Sequence, residues 1–401
     1  MNNVRVPSGR SFLEWEGEAP AEPRLFGWLR LGRSIALPTE VGLRIVVLLI
    51  STIFCVQVHA AGPDFQQALY PREWSFPTDH GRHSGFKTEW WYFTGNLRDS
   101  TGHPFGYQLT FFRNAISPHA TTRPSLWGMN DLYFAHAAIS DLGDSTFAFK
   151  DYLERARPGL AWSSEKTLDV SLLDWSAKLQ NRSIDLHAAE KRFTINLTCS
   201  EGRGPILQGP GGVNRKGRES DQASYYYSMT RLKTVGSLTI NGHSYHVEGL
   251  SWMDHEFSSN SLSPDQTGWD WMGLQLSDGS DLMIYRLRNK SGGADYLSGT
   301  RITPDGQPHY LSAADISMKS SHPWQSPASG GVYPQEWRVK CTGLSELVVK
   351  SAMPGQELIT SASTKVTYFE GAANVTDASG KSAGNGYLEM TGYADSFGES
   401  F

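Results

Sequence analysis

Five consecutive residues, Trp252-Met253-Asp254-His255-Glu256, place an imidazole between two carboxylates beside an indole, and a second acid-aromatic group, Trp269-Asp270-Trp271, follows shortly after. Histidine, with an ordinary pKa of roughly 6.5, is the side chain closest to neutrality, and an adjoining carboxylate fixes its tautomer or raises its basicity. Acid-base catalysis, metal binding and an inert buried ion pair are all compatible with that composition. On a strand, alternate side chains face opposite sides, so Asp254 and Glu256 share one face while His255 joins Met253 on the other. Two carboxylates on one face near Trp252 can hold one proton between them, which raises one pKa enough for a general acid. The plain alternative is ion pairing with Arg286 or Arg288 on a following strand, with Arg286 the first choice.

A second concentration of polar atoms within aromatic surface is Glu89-Trp90-Trp91-Tyr92, preceded by His80, His83 and Lys87. Glu89 and Trp91 face one way, Trp90 and Tyr92 the other. Filling a barrel accounts for the tryptophans and the tyrosine. Glu89 is harder to place, because an acid at the start of an apolar strand must be exposed, salt-bridged or functional. His136, among small and apolar neighbours, reads by default as a core histidine with one satisfied nitrogen; the other reading is an acid or base facing a cavity. Tyr285 and Arg286 lie in the expected hairpin partner of the Trp269 strand, joined to it through Asp278-Gly279. Glu389 and Tyr393 add an acid to the same region if the last strand closes a second barrel.

Apolar-aromatic runs of strand length recur at 89–97, 105–113, 132–142, 193–197, 225–232, 237–240 and 245–252, and none holds a helical period. Further strands are expected at 268–276, 282–288, 296–302, 337–341, 347–350, 366–371 and 386–393. Asn241-Gly242, Asp278-Gly279 and Asp305-Gly306 supply the residue types of tight hairpin turns. The pattern is that of antiparallel meanders. Two stretches are expected to lie outside any ladder: 202–217, rich in Gly, Pro and basic residues, and 317–334, rich in Ser, Pro and Gly. The reading divides the chain into an extension and signal (1–60), a first domain (62–240) and a second (241–401).

The signal rests on Arg30, Arg33 and Arg44 ahead of the apolar stretch 45–56 and a small-residue exit at Ala60-Ala61. That stretch falls short of the about 20 apolar residues a span needs, so cleavage near Ala60 and export to the periplasm or beyond are expected. The remaining chain carries 30 basic against 36 acidic side chains, which gives no electrostatic footprint for nucleic acid. The 13 Trp, 16 Tyr and 18 Phe of the full chain suit strands and an apolar or polyene-like ligand. Cys199 and Cys341 are left in the exported chain; a disulfide between them has no support from spacing, and two buried thiols are the plain alternative. No Cys-x-x-Cys, His-Glu-x-x-His, phosphate-binding glycine loop or Gly-x-Ser-x-Gly occurs, so no metal site or hydrolase elbow is expected from motifs.

Taken together, His83 with Glu89-Trp90-Trp91-Tyr92-Phe93-Thr94-Gly95, Gly249-Leu250-Ser251-Trp252-Met253-Asp254-His255-Glu256, and Trp269-Asp270-Trp271 with Gln275-Leu276-Ser277-Asp278-Gly279 resemble the carotenoid 1,2-hydratase (hydroxyneurosporene synthase) and AttH-like family of secreted hydrolases. The resemblance covers most of residues 75–395. It implies an all-β fold of two lipocalin-like antiparallel β-barrel domains packed against each other, with a ligand site near their interface. It also implies hydration without a cofactor, of a hydrophobic isoprenoid or lipid-like molecule, with peripheral membrane association left open. Its functional motif falls on Trp252, Asp254 and His255, with Tyr285 on the next strand. Asp254, kept protonated by burial, would be the acid; Trp252, Trp269 and Trp271 would flank the cation; His255 or Tyr285 would direct water. Glu256 completes the catalytic set, and Glu89, Trp90, Trp91, Tyr92, His136 and Arg286 the binding set. A lipocalin-like carrier that binds an apolar ligand without chemistry is the competing reading.

Overall fold

The computed structural model describes residues 65–118, 130–200, 202–260, 263, 265–291 and 293–394. The expected signal segment and its cleavage point at Ala60 lie outside the described residues. Among the described residues the chain is all-β, with two three-residue 3-10 turns, Thr78–His80 and Pro210–Gly212.

Two antiparallel sheets hold the strands, one curled into a nearly closed barrel and the other into a half-barrel. The first sheet runs from Thr146–Arg155 through Asp131–Asp141 and Pro104–Ala115 to Thr88–Asp99, the Glu89 strand. Beside it lie His243–Asn260, the Asp254 strand, and Ala223–Ile240, the Tyr226 strand, followed by the shorter strands from Phe193–Ser200 back to Ala161–Ser163. In the second sheet, Gln266–Leu276 (the Trp271 strand) sits between Asp281–Asn289 (the Tyr285 strand) and Ser382–Thr391 (the Glu389 strand), which in turn pairs with Thr367–Asp377 (the Glu370 strand).

Burial patterns show what each strand faces. Phe193–Ser200 alternates buried with less buried positions, as a barrel wall with one wet side should. The Asp254 strand is buried at every position from Ser251 to Ser258, and the Glu89 strand nearly so. These central strands are covered on both faces, by the barrel interior on one side and by the second sheet on the other. The barrel interior is filled by Trp91, Phe93, Leu109, Phe111, Trp175 and their neighbours, leaving a packed core rather than a ligand chamber.

Asn241 and Gly242 both take positive φ, 49° and 85°, as the hairpin between the Tyr226 and Asp254 strands requires. That hairpin lies wholly within the first sheet. Division by sheet therefore falls between Asn260 and Gln266, whereas the sequence reading set it at 240/241. Two expected irregular stretches also differ. Residues 316–325 form a ladder with Val332–Cys341, because an exposed edge strand needs backbone partners and not an apolar face. Within 202–217, Ile206–Leu207 and Val213–Arg215 pair with the Tyr226 strand, folding the segment along it. Cys199 and Cys341 are free and buried, one in each sheet.

Candidate functional site

Register fixes which side chains meet. Tyr92 opposes Asp254, Trp91 opposes His255 and Trp90 opposes Glu256; on the other flank Ser228, Tyr227 and Tyr226 oppose the same three. Directly opposed residues of an antiparallel pair project to one side. Asp254, Glu256, Tyr92, Tyr226 and Ser228 therefore face the second sheet, while His255, Glu89, Trp91 and Tyr227 face the barrel interior.

Between the sheets, Asp254 is 4% exposed. Its Oδ1 accepts hydrogen bonds from Ser228 Oγ (2.5 Å) and Trp252 Nε1 (2.7 Å), and its Oδ2 accepts one from Tyr226 OH (2.8 Å). Trp271 Nε1 donates to the Tyr226 hydroxyl (3.2 Å), and Gln208 Nε2 donates to Ser228 (2.8 Å). Burial outweighs the three donors and pushes the Asp254 carboxyl up to about 7. Glu256 pairs with Lys216 at 2.8 Å, and the Lys216 ammonium lies 4.5 Å from the centre of the Tyr285 ring. Across the layer, Glu370 and Glu389 oppose each other on neighbouring strands, and Tyr92 OH donates to Glu370 Oε2 (2.9 Å). Burial and the neighbouring Glu389 hold Glu370 well above the usual carboxylate range; burial, with Asp254 and Glu256 nearby, pushes half-buried Glu389 up to about 8. Trp252 and Trp271 meet edge to face at 6.1 Å, as do Tyr92 and Trp271 at 5.5 Å. The layer thus gathers three carboxyl groups, Asp254, Glu370 and Glu389, held above their ordinary pKa and walled by aromatic rings. Gln208 Oε1, Asn214 Oδ1 and Tyr387 OH add buried polar atoms with no hydrogen-bond partner among the described residues, a feature that native interiors seldom carry without a ligand or water.

The barrel face is different. Glu89 Oε1 lies 2.8 Å from His83 Nδ1 and 3.0 Å from His255 Nε2, and Glu89 Oε2 accepts from Arg113 Nε at 3.1 Å. Although burial works against it, the His255 and His83 hydrogen bonds and the Arg113 charge hold Glu89 well below the usual carboxylate range. Burial lowers His255. His83 Nε2 meets Asp79 Oδ1 at 3.0 Å, and His255 is stacked on Trp91 with ring centres 5.0 Å apart. A cleft of about 480 Å³, lined by Arg72, His83, Phe86 and Tyr225 among others, opens beside this group. His83, Glu89 and His255 have donors suited to a metal ion, as do His103, Asp141 and Asp144 at another point on the first sheet.

The AttH-like family profile matches residues 67–393. An AttH-type protein of Nitrosomonas europaea, known from its crystal structure, is 33% identical and aligns with a TM-score of 0.75 over 82% of this chain and 100% of that one. The chain belongs to the AttH-like family. Kievitone hydratase of Nectria haematococca, 15% identical over 83% of this chain and 97% of that one with a TM-score of 0.62, shares the fold. No protein with a curated description matches this sequence.

Of the residues singled out from sequence, Tyr92, Trp252, Asp254, Glu256, Trp271 and Tyr285 come together between the sheets, with Trp90 and Trp269 half-buried beside them. His255, Glu89 and Trp91 do not join them, because strand alternation sends them to the barrel face. His255 therefore cannot direct water at Asp254. Tyr285 donates its hydroxyl to the Arg215 carbonyl. His136 lies three strands away, roughly 14 Å at the usual strand spacing. Both of its nitrogens are engaged, Nδ1 with Tyr368 OH (2.7 Å) and Nε2 with Ser363 Oγ (2.9 Å), and burial lowers its pKa to about 4. Arg286 pairs with Asp270 and not with Asp254 or Glu256, because Asp270 stands directly opposite it in the ladder on the other face of the second sheet. Lys216, Tyr226, Ser228 and Glu370 are the site residues that the sequence reading missed.

Proposed function

We propose that this protein is a cofactor-independent hydratase-type enzyme in which the Asp254 carboxyl protonates an electron-rich alkene of a hydrophobic, isoprenoid or lipid-like substrate. The observation that carries the reading is a buried carboxyl with its pKa pushed up to about 7, set among Trp252, Trp271, Tyr92 and Tyr226. An acid poised near neutrality donates and regains a proton at working pH. The alkene π pair would take the Asp254 proton to form a C–H bond, leaving a cation on the neighbouring carbon that the ring faces stabilise. Water would then form the C–O bond, and its surplus proton would return to the Asp254 carboxylate. The name of kievitone hydratase, which shares this fold, agrees with such chemistry; at 15% identity it says nothing of this chain's substrate. Hydration of a carotenoid is the specific form of the reading. Export belongs to it as well, carried by the basic, apolar and small-residue pattern of residues 30–61.

The test is turnover of lycopene or neurosporene in detergent by the wild type and by Asp254→Asn. Product from the wild type with a large loss in the variant supports the assignment; equal turnover removes Asp254 from the mechanism. Native mass spectrometry that finds a retained, chemically unaltered apolar ligand, with no turnover of any analogue, would instead support a carrier.

A further inference from the structure

The barrel face of the Asp254 strand carries a group that hydration does not use, and its protons do not add up. His83 Nδ1 faces Glu89 Oε1 at 2.8 Å and its Nε2 faces Asp79 Oδ1 at 3.0 Å. His255 Nε2 faces the same Glu89 oxygen at 3.0 Å, and its Nδ1 lies 3.1 Å from the Asp79 carbonyl. All four contacts are to hydrogen-bond acceptors, but a neutral imidazole carries one N–H. The Tyr227 hydroxyl, 3.1 Å from His255 Nδ1 and 2.6 Å from His80 Nδ1, can donate to only one of those rings. With Tyr227 donating to His255 Nδ1 and accepting from His80, a neutral His255 is satisfied, so it is His83, set between two carboxylate oxygens, that is left one positive charge short. One proton added to His83 would supply it, and so would a metal cation held by the inner ring nitrogens and Glu89.

The arrangement favours the cation. Metal-bound histidines characteristically donate the outer ring N–H to a carboxylate or a backbone carbonyl, and here both outer nitrogens are anchored to residue 79 in those two ways. The inner atoms, His83 Nδ1, Glu89 Oε1 and His255 Nε2, lie within 4.8 Å of one another. Glu89 is held in place by the His83 backbone N–H and by Arg113. In the surrounding ion-pair network, Asp79, Glu89, Asp131 and Glu165 face Arg72, Arg82 and Arg113, which leaves one negative charge over. His83 borders the cleft, which gives an ion a way in. We infer that His83, Glu89 and His255 bind a divalent transition metal, zinc by their two-imidazole, one-carboxylate donor set. The ion would clamp the Thr78–Phe86 segment to the two central strands. Asp254 projects to the opposite face, so the site stands or falls separately from hydration.

The test uses tag-free full chain, stripped with a chelator and titrated with Zn²⁺ and Co²⁺. Wild type, Asp254→Asn and His103→Ala should each bind one equivalent at the same affinity. His83→Ala, which removes the ligand bordering the cleft, should bind at least about 100-fold more weakly, exceeding the 10–100-fold that even outer-shell losses produce. Should that variant misfold, Co²⁺-loaded wild type still decides the matter by showing two hyperfine-shifted imidazole N–H protons. Failure of the wild type to bind stoichiometrically overturns the assignment, as does binding that survives in His83→Ala and disappears in His103→Ala.

Discussion

Glu89 and Asp254 are buried carboxylates on neighbouring strands, each surrounded by hydrogen-bond donors, yet the barrel face drives one far below its ordinary pKa while the inter-sheet face drives the other up to about 7. The number of donors does not separate them. Asp254 accepts from Ser228, Trp252 and Tyr226, all neutral; Glu89 accepts from two histidines, a backbone N–H and the Arg113 guanidinium. A neutral donor offsets part of the cost of burying charge, and a cation offsets far more. Whether a cation meets a buried carboxylate on its face of the strand thus decides between a fixed anion and an exchangeable acid.

Breaking the barrel face should cost the most stability. Glu89→Gln leaves Arg113 and the histidines facing a neutral amide, and the loss should be on the order of 3–5 kcal/mol, read from urea unfolding at pH 7. Asp254→Asn should lower hydration by about 10²–10⁴-fold, the usual worth of a general acid, with a much smaller change in the urea midpoint. A variant that unfolds as readily as Glu89→Gln would erase the distinction between the faces.

The pH dependence of stability sharpens the same contrast. Asp254 and Glu389 are raised from ordinary values of 3.8 and 4.5 to about 7 and about 8. Their contribution is whole below about pH 4 and is lost as pH rises through 7 and 8, since the unfolded chain releases those protons first. Glu89 acts in the opposite sense, stabilising above its ordinary pKa and failing only in strong acid. The melting temperature of wild type should fall by a few degrees between pH 5 and pH 8, and Asp254→Asn should flatten that decline. The smallest effect is expected from Gly273→Ala: its methyl would meet Trp271 at 2.6 Å and Trp252 at 3.3 Å, so near-ultraviolet circular dichroism and turnover should change while the barrel-face network stays intact.

Much of this contrast was legible in the sequence. Alternation alone separates Asp254 and Glu256 from His255, and the aromatic runs with Asn241-Gly242 mark the strands that carry them. The neighbours were harder to read, for identifiable reasons. Counting back from the Asn241-Gly242 turn sets Tyr227 opposite Glu256, but a bulge between Met229 and Leu232, with Arg231 at φ 55°, shifts the register by one and brings Tyr226 there instead. Lys216 sits in a segment whose Gly and Pro content suggests a free loop, although short pairings lay it along the Tyr226 strand. Glu370 gives no signal in the sequence, since its importance comes from facing Glu389 across a ladder. The His83, Glu89 and His255 group escapes motif reading because its members are drawn from two distant strands and a turn. Arg286 and Arg288 both fall to Asp270 and not to Asp254 or Glu256, because hairpin register sets Asp270 directly opposite Arg286.

The most direct test of the account is the titration of Asp254 itself, followed by infrared difference spectra of wild type against Asp254→Asn from pH 4 to pH 9. A carboxyl band belonging to Asp254 that persists at pH 6 and disappears around pH 7 is the predicted result. An Asp254 already ionised at pH 5 would contradict the account, because a carboxylate at that pH has no proton to give to an alkene.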